Sequence, residues 1–186
     1  MKKKHISMQA MGVCIVIVLW ISGCCTLNSG NTGFRFSSND SQKIAVLDFE
    51  EQGFLGGEKL GRFAAEELTT ALFIKQNLKV VDRAQVTAIM VETQFSPSIL
   101  DVKSIQQLGE KLESDYLILG CITRFDKENF DPETNGRISV QITIRIISTR
   151  NGEVVGMISR QSTKKEEPKI IVGKMVEAMA GFVRFK

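Results

Sequence analysis

The sequence predicts a single compact α/β domain, a mixed β-sheet with helices packed on it, preceded by a signal peptide. Short apolar runs typical of buried strands alternate along the chain with stretches whose apolar residues recur at helical spacing. Over 138–146, isoleucine and valine alternate with polar residues, which predicts a strand with one dry and one wet face. We expect residues 1–23 to be the signal, 24–42 a flexible tether and 43–186 the domain.

The first 23 residues have the three parts of a secretory signal. Lysines at 2–4 form the charged start, an apolar run follows at 11–21, and Ser22 and Gly23 precede Cys24. The run is too short for a membrane-spanning helix, which needs roughly 20 residues. The tetrapeptide ending at Cys24 resembles a bacterial lipobox, in which the cysteine is lipidated and becomes the mature N-terminus. This implies a lipoprotein signal peptide and acyl chains such as palmitate on Cys24; the alternative is an ordinary cleaved signal.

Charge and composition exclude several classes of function. The chain has 24 basic and 21 acidic residues, and removing the three signal lysines leaves 21 of each, so the mature protein is neutral. No basic run with interleaved aromatic residues follows, and we expect no nucleic-acid partner. The only histidine, His5, is lost with the signal, and Cys25 and Cys121 are the thiols left beside Cys24. These residues support neither a disulfide framework nor a zinc site.

The first half of the domain predicts a strand, a helix, a short strand and two further helices. Residues 43–50 (KIAVLDFE) predict the first strand, and a glycine-rich turn leads to a helix over 58–76. Residues 78–81 predict the short strand. Asp82 and Asp101 stand where N-caps are expected, each before a helix. The helix positions that we expect to be buried are Leu60, Phe63, Ala64, Leu68, Ala71, Leu72, Val86, Ile89, Met90, Ile105, Leu108 and Leu112.

The second half predicts the centre of the sheet, a hairpin and a closing helix. Residues 116–122 (YLILGCI) form a continuous apolar run, as in a central strand. Asn151 and Gly152 predict a tight hairpin turn after the alternating strand, because both residues tolerate positive φ. Residues 153–160 are the returning strand. Pro168 begins the last helix, whose expected buried side is Val172, Met175, Val176 and Met179.

No group of residues predicts catalysis, a cofactor or a metal. The glycines after the first strand lack the spacing of a phosphate-binding or dinucleotide-binding loop. Asp48 and Asp82 have no histidine, nucleophile motif or metal-ligand spacing beside them, and Asp82 is explained as a helix cap. Cys121 lies in an apolar run and is expected to act as a small hydrophobic residue. The sequence therefore predicts a protein that is not an enzyme.

The alternating stretch also has the length of a membrane β-strand, with Arg145 on its polar side. The returning strand argues against a membrane hairpin, because Val154-Val155, Gly156 and Met157-Ile158 break its alternation. We therefore favour a hairpin in a sheet that helices cover on one side.

Several segments, in this order, resemble the CsgG-like family of bacterial envelope lipoproteins, whose best-known member is the outer-membrane channel that secretes curli subunits. The resemblance implies the periplasmic core of that family, held on a lipid anchor, and it covers roughly 43–163. The segments are the lipobox at Cys24, IAVLDFE in the first strand, the helix up to Leu72, KVVDRAQVTAIM (79–90), SDYLILGCITRFD (114–126) and ISVQITIRIISTRNGEVVGMISR (138–160).

The segments that form the channel in that family have no counterpart here. The channel has one long insertion before the counterpart of Ile138 and a second after that of Ser162. Each forms a membrane hairpin of roughly 20 residues or more. Here the first position has only a polar loop, 126–136, and the second a short charged link. We therefore expect no pore.

The expected function is assistance in assembly or export of cell-surface structures such as curli, through protein contacts, by a protein lipid-anchored on the periplasmic face of the outer membrane. Two alternatives stay open: a regulator of a peptidoglycan synthase and an oligomeric secretion channel. The expected partners are the membrane, through lipid on Cys24, and envelope proteins, with a homo-oligomer as a further alternative. Phe73, Ile74, Phe182 and Phe185 either close the core or form a contact between subunits.

Overall fold

Eight strands and four helices make up the part of the chain that the computed structural model describes, residues 34–36, 42–53, 59–95, 101–126 and 138–185. They are β1 (Phe34–Phe36), β2 (Lys43–Val46), β3 (Glu50–Gln52), α1 (Leu60–Gln76), β4 (Lys79–Val80), α2 (Arg83–Thr93), α3 (Val102–Leu112), β5 (Tyr116–Asp126), β6 (Ile138–Ser148), β7 (Val154–Lys164), α4 (Pro168–Ala180) and β8 (Val183–Phe185).

Six of the strands form one mixed sheet, which confirms the predicted fold class. The strand order is β4-β2-β5-β6-β7, and β3 follows β2 along the same side of β5. The pairs β2–β4, β2–β5 and β3–β5 are parallel, while β5–β6 and β6–β7 are antiparallel. The apolar run predicted as the central strand is the first part of β5, which lies in the middle of the sheet.

The alternation over β6 is borne out by its burial. Ile142, Ile144 and Ile146 are buried, whereas Thr143 and Arg145 between them are half-buried. Antiparallel pairing with both neighbours fixes this register, because a shift by one residue would turn the isoleucines to the opposite face. β6 is therefore the strand that determines which face of the hairpin packs on the core.

Helices α1 and α4 cover one face of the sheet and enclose the larger core cluster. α1 packs against β2, β4 and β5, and α4 packs against β6 and β7. Pro168 opens α4 as predicted, and the four apolar residues expected on its inner side are buried. The sheet and helix residues of this cluster include Ile44, Val46, Phe49, Leu60, Ala64, Leu68, Leu72, Ile118, Ile122, Val140, Ile142, Ile144, Ile146, Val172, Met175, Val176 and Met179.

Helices α2 and α3 pack on the opposite face, against β2 and β5 respectively. Both predicted N-caps are present. Asp82 Oδ1 accepts a hydrogen bond from the Ala84 N–H at 2.8 Å, and Asp101 Oδ1 accepts one from the Ser104 N–H at 2.7 Å. The buried residues of this smaller cluster are Ala45, Leu47, Val81, Val86, Ile105, Leu108, Leu112, Leu117, Leu119 and Ile147.

The first predicted strand, 43–50, is broken into β2 and β3. The Leu47 N–H still donates to Ile118 O at 2.9 Å, but the Phe49 N–H donates to Gly61 O in α1 at 3.2 Å. Phe49 thus turns out of the ladder to meet the helix, and its ring lies on Gly120, where an added Cβ would be 2.3 Å from the ring carbons. Pairing with β5 resumes at Glu50, beside Cys121.

The hairpin turn is wider than predicted. The connection between β6 and β7 runs over residues 149–153, and of the two residues expected at positive φ only Gly152, at +72°, has it. Thr149 is held elsewhere, because its hydroxyl donates to Ser114 O at 2.7 Å and its N–H donates to Asp115 O at 3.0 Å. The turn therefore packs on the end of α3. The chain needs more than two residues to run from the end of β6 to the start of β7.

β1 lies inside the segment 24–42 that was predicted as tether. Its three residues pair in parallel with β8, outside the main sheet. The sequence did not indicate where Phe34 and Phe36 lie, and the backbone pairing places both residues beside β8. The remaining residues of 1–41, the turn glycines Gly56 and Gly57 and most of the polar loop 126–136 lie outside the described residues.

Candidate functional site

Cys24, the predicted lipidation site, lies outside the described residues, and its lipidation stays a prediction. Cys121 is a free, half-buried cysteine whose Sγ lies 3.9 Å from Thr123 Oγ1. It belongs to neither core cluster. Among the described residues no three His, Cys, Asp or Glu side chains come together as a metal site. In the same residues, no helix combines the length and the apolar composition needed to span a membrane.

The two carboxylates considered as catalytic candidates, Asp48 and Asp82, both have structural partners. Asp48 forms an ion pair with the guanidinium of Arg83, and a second nitrogen of Arg83 donates to Val46 O. Arg83 therefore holds the end of β2 to the start of α2. Asp82 is the cap of that same helix. Neither carboxylate faces a nucleophile or a second acid in the contacts described.

The sequence analysis missed Arg83, whose side chain is only 17% exposed. Its one sequence signal is its place directly after the cap residue Asp82, and that position does not indicate a partner 35 residues earlier. The ion pair contributes to joining two elements, β2 and α2.

Two pairs of large apolar side chains are exposed at different sides of the sheet. The α1 pair consists of Phe73 and Ile74, which are 62% and 70% exposed. The β7 pair consists of Val154 and Met157, each 51% exposed. α1 packs over β4, β2 and β5, whereas β7 is the strand at the opposite edge. Val91, Val102 and Ile170 are exposed as well, so the α1 pair and the β7 pair are two of several places at which the described domain exposes large apolar side chains.

Phe182 has a place inside the domain. It is half-buried, and the Arg160 guanidinium lies 4.5 Å from the centre of its ring. This favours the first of the two interpretations of this residue, in which it closes the core. Phe185 belongs to β8, and its side chain lies outside the described residues. Of the four residues considered for a subunit contact, Phe73 and Ile74 are therefore the ones shown to be exposed.

The polar side of the β6–β7 hairpin carries a ladder of short side chains. The Thr143 and Ser159 hydroxyls are 2.9 Å apart, and the Gln161 amide donates to Ser139 Oγ at 3.0 Å. Thr163 also donates to Ser139 Oγ, at 3.1 Å. Further along the same side of β6, Ile147 packs with α3 in the smaller core cluster. The hydroxyls and amides of the ladder bind one another and form a hydrophilic stretch of the hairpin beside Met157.

Solved structures of other proteins are similar to this chain. The PelC dodecamer from Paraburkholderia phytofirmans matches with a TM-score of 0.54 at 12% identity, over 81% of this chain and 93% of that one. Lipoprotein GNA1162 from Neisseria meningitidis matches with a TM-score of 0.52 at 13% identity, over 75% and 94%. The LpoB C-terminal domain from Escherichia coli matches with a TM-score of 0.48 at 12% identity, over 66% and 83%. No curated protein matches the chain.

The family model described as FlgO protein matches residues 32–167, which include every described element from β1 to β7. The resemblance to the CsgG-like family is therefore wrong, and the expectation of a curli-related role loses its basis. Apart from the lipobox, the segments that suggested it are strands and helices of the domain, whose apolar pattern follows from the fold. Proteins that share this fold are only 12–13% identical to the chain, so such a pattern does not identify the family. The chain belongs to the FlgO protein family.

Proposed function

We propose that this protein is a non-enzymatic, lipid-anchored protein of the bacterial envelope that acts through protein contacts of its α/β domain. The lipobox at Cys24 supports the anchor, and a solved lipoprotein, GNA1162, has the same fold. The outer membrane is the proposed location, on its periplasmic face. The carboxylates best placed for chemistry are engaged in a cap and an ion pair, which supports a role without catalysis.

The observation that carries the proposal is the exposed apolar surface at opposite sides of the sheet, at the α1 pair and the β7 pair. Two different patches that fit each other make a head-to-tail contact, and such contacts close into rings when the rotation allows. In this contact, each patch is covered by the other patch of a second copy of the chain. The dodecamer formed by PelC, which has this fold, supports the assignment.

Sedimentation of the protein without residues 1–25 tests this contact. Phe73→Ser with Ile74→Ser, and separately Val154→Ser with Met157→Ser, should each reduce the protein to a monomer at concentrations at which the wild type associates. Val91→Ser with Val102→Ser is the matched control, because these residues are 74% and 50% exposed on α2 and α3. The control should associate like the wild type.

Mixing the two double variants separates a head-to-tail contact from a symmetric one. Each variant keeps one intact patch, and together they should form a dimer that grows no further. A wild type that is monomeric at tens of micromolar, or a mixture that stays monomeric, would rule out this contact.

As partner in the envelope we propose a peptidoglycan synthase, with the domain as its regulator. Of the functions weighed on the sequence, the loss of the CsgG-like relationship removes the support for curli export and for a secretion channel. A soluble domain with exposed contact surfaces remains suited to regulation by binding.

The test is the rate of glycan polymerisation by purified synthases from the same cell, with and without the lipidated protein. We expect a change in rate and co-sedimentation with one synthase. Unchanged rates with every synthase, and no co-sedimentation, would refute the partner and leave the self-association experiment to judge the contact surfaces.

A further inference from the structure

The pair of strands β1 and β8 joins the N-terminal segment to the C-terminal end of the domain. Phe34, Arg35 and Phe36 are register partners of Val183, Arg184 and Phe185 in a separate two-stranded parallel sheet. β8 is fixed to the domain, because Val183 is fully buried in the cluster under α1 and α4. β1, in contrast, is held to the domain by its backbone pairing with β8.

This pairing limits how far the domain can lie from the predicted anchor. Nine residues, 25–33, separate Cys24 from Phe34. An extended chain spans at most 3.3–3.6 Å per residue, so the Cα atoms of Cys24 and Phe34 lie at most about 36 Å apart. With β1 paired, the domain is therefore confined to a shell next to the membrane that holds the lipid.

Release of β1 would lengthen the tether without touching the main sheet. The next fixed residue is Lys43, at the start of β2, and 18 residues, 25–42, then separate it from Cys24. The same limit per residue raises the greatest span to about 68 Å. The reach of the domain thus grows by at most about 30 Å when the three residues of β1 unpair.

The β1–β8 pair is well suited to open before the rest of the domain. Each strand has three residues, and within the described part of the chain β1 and β8 pair only with each other. Isolated two-stranded sheets are marginal in water, and segments near the chain ends open at a lower free energy than core strands. β2, by comparison, is paired on both sides, and its residues Ile44 to Val46 are buried.

We propose that the β1–β8 pair is a latch that sets the length of the tether, short when paired and long when released. The proposal rests on the lipid anchor at Cys24 in the proposed function. The closed latch keeps the contact surfaces near the anchoring membrane, and the open latch lets the same domain reach a partner further away. The device needs no change in the fold of the main sheet.

Three variants of the full lipidated protein test the latch. Arg35→Cys with Arg184→Cys places cysteines at register partners, and neighbouring strands lie 4.7–4.9 Å apart, within the Cα range of a disulfide. Cys25→Ser and Cys121→Ser remove the competing thiols. Arg35→Pro removes a backbone donor from β1 and releases it. Asn31→Pro is the control, because it adds a proline outside the strand.

The readout is neutron reflectometry of the protein on a supported bilayer of phosphatidylethanolamine and phosphatidylglycerol. The outer boundary of the protein layer should lie closest for the oxidised cysteine variant and furthest for Arg35→Pro, with a difference of at most about 30 Å. Reduction should return the cysteine variant to the wild-type boundary, and Asn31→Pro should match the wild type.

Failure to form the disulfide, or equal boundaries for the oxidised and Arg35→Pro proteins, would overturn the latch. A separate variant tests whether the lipid on Cys24 is the anchor. If Cys24→Ser binds the bilayer like the wild type, the lipid anchor is refuted and the tether with it, while disulfide formation still reports whether β1 and β8 pair.

Discussion

Replacing Gly61 with alanine should destabilise the domain, although alanine is the better helix former. Gly61 lies in the first turn of α1, against the stretch where the chain leaves β2. Its N–H donates to Glu51 Oε1 at 2.6 Å, and its carbonyl accepts the Phe49 N–H at 3.2 Å. An added Cβ would lie 2.0 Å from Phe49 O, a backbone atom.

The magnitude follows from that distance. Real Cβ contacts essentially never fall below 3.0 Å, so the start of α1 and the Phe49 carbonyl must separate by about 1 Å. Overpacking of this kind costs about 1–3 kcal/mol, and the two hydrogen bonds of Gly61 weaken as well. The gain from replacing a helical glycine is about 1 kcal/mol at most. We expect a net loss of about 2 kcal/mol, or roughly 4–8 °C in Tm for a domain of this size.

Gly173→Ala is the matched control, since it makes the same substitution inside α4. There the added Cβ would lie 3.6 Å from Phe63 Cζ, an ordinary contact. Only the gain in helix propensity then remains, and we expect this variant to be more stable than the wild type by up to about 1 kcal/mol. Urea unfolding followed by circular dichroism measures both variants. Equal stability of Gly61→Ala and wild type would show that the described approach of α1 to Phe49 is wrong.

Three further predictions concern the caps and the core. Asp82→Ala should cost about 0.5–2 kcal/mol in urea unfolding, because Ala84 loses its capping acceptor. Hydrogen bonds from Ser104 lower the pKa of Asp101 below its usual 3.8. The stabilising effect of Asp101 is therefore present above that pH and is lost as the pH falls through the lowered pKa. The difference in unfolding free energy between the wild type and Asp101→Asn should shrink over that acid range. Ile142→Ala should cost about 2–5 kcal/mol in the same assay, since Ile142 is fully buried at the centre of β6.

The sequence predicted the elements whose pattern is local and periodic. The alternation of β6, the apolar run of β5 and the helical spacing of α4 each arise from burial on a regular backbone, so they are visible without knowledge of the rest. The caps Asp82 and Asp101 were equally predictable, because a cap bonds a backbone N–H two or three residues away.

The features that were missed depend on residues far apart in the chain. Phe34 and Val183 pair across the length of the domain, and nothing around Phe34 indicates a strand partner. The break in the first strand depends on Gly61 as the acceptor for Phe49, and the width of the hairpin turn depends on Thr149 binding Asp115. Each of these contacts replaces a local preference with a tertiary one.

The same distinction explains why the fold was easier to predict than the family or the function. Buried strands such as β5 and β6 follow from the need to cover a sheet with helices, and unrelated sequences meet that need with similar apolar patterns. The contact surfaces lie on the outside, at residues such as Phe73, Ile74 and Met157, which no periodic pattern requires. An exposed phenylalanine next to the end of an amphipathic helix is a weak signal in the sequence, because the same letter equally fits a core position. It becomes informative only when the packed domain leaves it uncovered, and for that reason the proposed function rests on the exposed sides of the sheet.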